Sequence, residues 1–102
     1  MSCTALFIIT MYATGCDTKP GALTKAGILP VIDFTVAADP RVLPIGTIIE
    51  IEGFTGPRLV HDIGGKVKGK HVDLFVGSCS TAINWGRRTR AVRVLHLPRK
   101  RP

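Results

Sequence analysis

His61-Asp62-Ile63-Gly64-Gly65-Lys66-Val67-Lys68-Gly69-Lys70-His71-Val72-Asp73-Leu74-Phe75 is the stretch that decides how this chain is read. Residues 58–62 and 70–76 are rich in β-branched and apolar side chains and predict two short strands flanking a glycine-rich turn. Asp62 would end the first strand and Asp73 would ride on the second, bringing two carboxylates to one end of a small sheet. Close carboxylates in unlike surroundings are how proteins set up acid–base chemistry on acid-stable bonds such as glycosides. Seven acidic residues stand against fourteen basic ones, so acids kept inside so basic a chain call for an explanation.

Working outward, the pattern stays mostly β. Residues 5–13, 34–38, 47–51 and 90–97 add four more strands, with Val92 and Val94 on one face of the last and Arg93 on the other. Asp39-Pro40 breaks the second strand, because the residue before proline is pushed out of helical space. Residues 15–29 are rich in Gly, Lys, Thr and Pro without periodicity and predict a long loop. A short helix is predicted over residues 78–85, with Ser78 or Ser80 as N-cap and Gly86 as its stop. Six short strands and one small helix in 102 residues predict a single mainly β domain closed into a barrel, since closure removes exposed edges.

A hydrophobic content of 45% fits a filled core rather than a disordered chain. No apolar stretch is long enough to span a bilayer, and residues 5–11 lack the basic start and length of a secretory signal. Synthesis in the cytoplasm is therefore expected, with release or carriage needed for any work outside it. The net charge of +7, with seven of the basic residues between positions 87 and 101, points to an anionic partner or anionic surroundings. Aromatic residues are too few and scattered for a base-stacking platform, so no nucleic acid is expected. The tail at residues 98–102 reads as a mobile, solvated basic end. Cys3, Cys16 and Cys79 have no metal-ligand spacing, and their odd count reads as free thiols. A Cys16–Cys79 bridge is the alternative, since both flank the proposed site.

Three segments carry a resemblance. Residues 36–47 (Val-Ala-Ala-Asp-Pro-Arg-Val-Leu-Pro-Ile-Gly-Thr), the opening stretch 61–75, and residues 82–88 (Ala-Ile-Asn-Trp-Gly-Arg-Arg) resemble the 3D domain, named for three aspartates that here would be Asp39, Asp62 and Asp73. The chain is similar to the catalytic barrel of MltA-type lytic transglycosylases. That resemblance implies a small six-stranded double-psi β-barrel with one short helix, acting on peptidoglycan glycan strands as a monomer and without a cofactor. It implies cleavage of the β-1,4 bond between N-acetylmuramic acid and N-acetylglucosamine, with the muramic 6-hydroxyl as nucleophile and a 1,6-anhydro product. One carboxyl then acts twice, as acid and as base.

By motif position, Asp73 matches the catalytic acid, and apolar Val72, Leu74 and Phe75 or the charge of Asp62 would keep it protonated. Asp62 is expected to stay ionised or share that proton, or else to bond the glycine turn. Gly64 and Gly65 would let a sugar approach the backbone, and Lys68, Tyr12 and Thr14 match groove-lining positions. Asp39 matches the first aspartate, although Asp-Pro also initiates turns by capping amides. His61 and Lys66 depart from the pattern. His61, Asp62, His71 and Asp73 together look like a metal site, but the spacing is not a ligand spacing and no metal is expected. The chain also lacks the second domain that walls the groove in MltA-type enzymes, so either the 15–29 loop builds that wall or the groove is shallow. A phage lysis or virion-associated wall enzyme is the expected owner. The alternatives are a non-catalytic wall-carbohydrate-binding barrel of the expansin type and a basic nucleic-acid-binding barrel.

Overall fold

A computed structural model describes residues 3–98, in the order β1 (Cys3–Tyr12), β2 (Thr35–Ala38), β3 (Ile48–Ile51), β4 (Arg58–Asp62), β5 (His71–Phe75), α1 (Cys79–Trp85) and β6 (Arg88–His96). Most of the basic tail, residues 99–102, lies outside the described residues. The strands pair in the order β1-β5-β2-β4-β3-β6 and close on themselves. Pairs β1–β5 and β2–β4 are parallel, and the other four are antiparallel. The mainly β six-stranded barrel with one short helix read from the sequence is the fold observed.

Two-residue alternation builds the core. Ile9, Val36, Ile49, Val60, Val72, Leu74 and Val92 point into the barrel and are almost wholly buried. Each such side chain stabilises the fold by about 1.5–3 kcal/mol. Because Val72 and Leu74 face inward, Asp73 between them faces outward. β1 is long enough to pair with β6 through Cys3–Ile9 and with β5 through Ile8–Tyr12, so this one strand seals the barrel.

One expectation is corrected by topology. β4 and β5 do not pair, because β2 lies between them. Residues 63–70 therefore cross over β2 instead of making a hairpin turn, and a strand–glycine–strand pattern reads the same in both cases. Of the three glycines in that segment only Gly69 has positive φ, at 68°. At Gly64 the constraint is close approach: a Cβ would lie 2.5 Å from Cγ2 of Val67. At Gly65 nothing lies within 4 Å.

The Ser78 hydroxyl accepts the Thr81 N–H at 3.2 Å, which makes Ser78 the N-cap of α1. Gly86, at φ 67°, ends the helix. Trp85 docks α1 on the barrel by donating its indole N–H to the Ile9 carbonyl at 2.8 Å. Cys16 and Cys79 form a disulfide with Cα atoms 6.0 Å apart, so the reading of free thiols is corrected at these two positions. Among the described residues no helix is long and apolar enough to cross a membrane.

The disulfide spans 63 residues of sequence, for which chain entropy gives a stabilisation of about 4 kcal/mol at most. Cys79→Ser is expected to lower the urea unfolding free energy by about 2–4 kcal/mol, and reductant should bring wild type to the same value. Equal stability of wild type with and without reductant would exclude the bridge.

Candidate active site

The register places four residues in one row across the barrel wall. Thr10 of β1 lies opposite Asp73 of β5, Asp73 opposite Ala37 of β2, and Ala37 opposite Asp62 of β4. A bulge between Val36 and Ala37 brings Asp62, rather than His61, into that row. Asp73 and Asp62 are thus two strand spacings apart, about 10 Å between Cα atoms. The small side chain of Ala37 forms the floor between them. Above this row an open cleft of about 360 Å³ is lined by Thr10, Met11, Tyr12, Asp17, Thr18, Ala37, Asp62, Gly64, Lys66, Val67, His71 and Asp73.

The Asp73 carboxyl is pushed up to about 6, mainly because burial penalises its charged form. The Thr10 hydroxyl, which donates to Asp73 Oδ1 at 2.8 Å, acts in the opposite direction. The charges of Asp17 and then Asp62 add to the upward push. Val72 and Leu74, expected to supply the apolar cover, instead fill the core, and Met11, Ala37 and Val67 line the cleft beside Asp73. Thr10 Oγ1 also lies 2.7 Å from His71 Nε2. Burial holds His71 below the ordinary histidine range, helped by the positive charge of Arg87. The Tyr12 hydroxyl is buried without a hydrogen-bond partner. Burial first, then the charges of Asp62 and Asp73, raises Tyr12 above the ordinary phenol range. It is a neutral phenol with an uncommitted proton.

Of the residues expected at the site, Asp73, Asp62, Gly64 and Tyr12 come together in the cleft. Asp62 has a structural task as well, since its Oδ1 accepts the N–H groups of Lys25 at 3.0 Å and Ile63 at 2.9 Å. Lys68, Gly65 and Thr14 are exposed and do not line it, and Lys66 takes the basic position at its edge. Asp39 is also absent from the lining. It is buried, with Oδ1 accepting the Arg41 N–H and Nε and Oδ2 accepting Arg41 Nη2 at 2.7 Å and the Gly69 N–H at 2.8 Å. The Arg41 side chain, then these main-chain amides, hold the Asp39 carboxyl well below the usual carboxylate range. Asp39 clamps the crossover to β2, which is the amide-capping reading of Asp-Pro extended by one tertiary contact.

His61 turns away and bonds Thr35 Oγ1 through Nδ1 at 3.0 Å. Among the described residues no three histidine, cysteine or acidic side chains cluster as metal ligands. Asp17 and Thr10 were missed by sequence reading. Asp17 sits in an aperiodic loop with no signal of its own, whereas Thr10 could have been found as the polar outward position of an apolar strand. From residues 15–29 only Asp17 and Thr18 line the cleft, so the loop adds a rim rather than a full wall.

The 3D domain matches residues 34–98. The cell wall-binding protein YocH of Bacillus subtilis (strain 168) is 44% identical over 84 residues, which are 82% of this chain and 26% of that protein. MltA from Escherichia coli, described as a lytic transglycosylase, shares the barrel fold with a TM-score of 0.63 at 23% identity, covering 76% of this chain and 28% of MltA. A structure of E. coli MltA with bound chitohexaose matches equally well, with a TM-score of 0.63 at 22% identity, again over 76% of this chain and 28% of that one. The chain spans about a quarter of the length of these proteins.

Asp73 gives the barrel a pH-dependent stability. Below its unfolded value of 3.8 the group is protonated in both states and costs nothing. As pH rises to about 6 the unfolded chain ionises first, so stability falls and the loss is complete above that pH. Two units correspond to roughly 3 kcal/mol. Asp73→Asn is therefore expected to unfold at higher urea than wild type at pH 8, and at nearly the same urea at pH 3.5. A variant weaker than wild type at pH 8 would overturn the assignment of Asp73 as a group buried against its charge.

Proposed function

This chain belongs to the 3D domain family, and on that premise we propose that it is a peptidoglycan lytic transglycosylase with Asp73 as its acid and base. The observation that carries the reading is a carboxyl pushed up to about 6 in an open cleft, fixed at Oδ1 by Thr10 and free at Oδ2. A glycan strand laid over Ala37 would pass between Asp73 and Asp62. Neutral Asp73 protonates the oxygen leaving C1 of N-acetylmuramic acid as the C1–O bond breaks. The resulting carboxylate takes the proton of the 6-hydroxyl as that oxygen bonds to C1, closing the 1,6-anhydro ring. The acid is regenerated and no water is consumed. Asp62 faces the positive charge that develops at C1.

The glycan bound to MltA and the wall association of YocH support this choice of substrate. The Cys16–Cys79 disulfide fits work outside a reducing cytoplasm. Delivery by phage-type lysis or on a virion is part of the same proposal, motivated by the net charge of +7. The description of YocH as cell wall-binding favours a second reading, in which the same cleft binds wall glycan without cutting it.

Digestion of purified sacculi, with mass spectrometry of the products, separates these readings. Anhydromuramic ends are expected, with a rate that falls as pH rises through about 6 because the acid must start protonated. Asp73→Asn should lose about 10²–10⁴-fold in rate. Reducing ends would mean hydrolysis, and retention on sacculi without cleavage would mean a binding module.

A further inference from the structure

We infer that His71 is a positioning residue of this site: through the Thr10 hydroxyl it selects which oxygen of Asp73 carries the proton. The inference rests on the reading of Asp73 as acid and base. Thr10 Oγ1 stands between two partners, His71 Nε2 at 2.7 Å and Asp73 Oδ1 at 2.8 Å. His71 and Asp73 are two residues apart on β5 and so share a face, and Thr10 is in register with Asp73 on β1.

A hydroxyl has one proton, so this trio has two neutral settings. In the first, His71 Nε2–H donates to Thr10 and Thr10 donates to Asp73 Oδ1. Oδ1 then acts as an acceptor, and the acid's proton sits on Oδ2, the oxygen free of Thr10. In the second, Thr10 donates to a bare His71 Nε2, and Asp73 must spend its proton on Thr10 through Oδ1. Only the first setting leaves a proton available to a substrate, and only the first gives the carboxylate a donor after that proton has left. His71 neither gains nor loses a proton during the reaction, so the balance at Asp73 is unchanged. Its tautomer decides the setting, and burial beside Arg87 disfavours the charged form that carries hydrogen on both nitrogens.

The other groups facing the pair do not substitute for this contact. Asp73 is faced by Tyr12 of β1, Asp17 of the following loop and Asp62 of β4, with Lys66 at the cleft edge. His71 is faced by Arg87 and by the main-chain carbonyl of Lys66, which accepts a ring N–H and so competes with Thr10 for the hydrogen of a neutral His71.

Thr10→Val, Thr10→Ser, His71→Phe and His71→Gln test the coupling, read by carbon NMR titration of the Asp73 carboxyl and by the pH profile of sacculus cleavage. Thr10→Val is expected to move the Asp73 midpoint, and with it the alkaline limb of the profile, above the wild-type value of about 6, since it removes donation to Oδ1. His71→Phe should move it the same way by a smaller step, since Thr10 keeps its hydroxyl but loses the donor that polarises it. The kcat of Thr10→Val should fall about 10–100-fold with KM within twofold, the loss of one hydrogen bond to a charged group, and that of His71→Phe should fall by less. Thr10→Ser and His71→Gln, which keep a hydroxyl and an N–H, should restore most of both readouts. Ring nitrogen shifts of wild-type His71 should show hydrogen on Nε2, which needs no variant to fold. Hydrogen on Nδ1 alone, or an unmoved Asp73 midpoint in folded His71→Phe and Thr10→Val, would overturn the inference. If wild type yields no anhydro ends, the transglycosylase reading fails by itself, while the carboxyl titration still decides the coupling.

Discussion

Parallel pairing of β1 with β5, with Thr10 opposite Asp73, is the constraint on which the barrel and its cleft both depend. Side chains alternate across a strand, so a slip of one residue would send Thr10 into the core and Ile9 onto the cleft face. Ile9, Val72 and Leu74 prevent that slip, because each is fully buried in the correct register and would lose its cover in any other. Residues that never touch the cleft therefore set the position of those that do. The same β1 pairs with β6 along its first half, so closing the barrel and placing the acid are one event.

Much of this was legible in the sequence, for physical reasons. Alternation around Val60, Val72, Leu74 and Val92 marks strands whatever their partners, and the count of short strands required closure. Asp73 was legible as the proposed acid from its place in the motif, but its cover was not, because Val72 and Leu74 alternate into the core and leave it on the other face. Strand order was not legible: the Gly64–Gly65 segment looks like a hairpin until β2 is seen between β4 and β5. The environment of each aspartate was only partly so. Asp39 and Asp73 share a family motif, yet one is tied to Arg41 and Gly69 and the other faces open space, a difference created by tertiary contacts. Asp17 was invisible because its influence on Asp73 passes through space from a loop without periodicity.

The disulfide and the cleft are linked by that loop. Cys16 is bonded to Cys79 at the start of α1, and Asp17 is the next residue. The Asp17 carboxylate also accepts the Ala13 N–H at 3.0 Å, which holds it at the rim beside the end of β1. Docking of α1 through Trp85 onto Ile9 ties the other end of this bridge to the same strand. The rim thus belongs to the rigid part of the molecule although it lies in a loop.

The clamp at Asp39 has a consequence for how the protein tolerates mild acid. A carboxyl held low keeps its anion, and so its grip on Arg41 and Gly69, well after ordinary carboxylates have begun to take up protons. That contribution to stability is present above the unfolded value of 3.8 and is surrendered only as pH drops through the lower folded one. Asp73 accepts its hydrogen near 6, before this happens. Between those two points the molecule is loaded and still braced. Two copies of one amino acid, tuned apart by their surroundings, thereby open an interval of acidity in which a charged strut and an uncharged acid coexist in one small barrel.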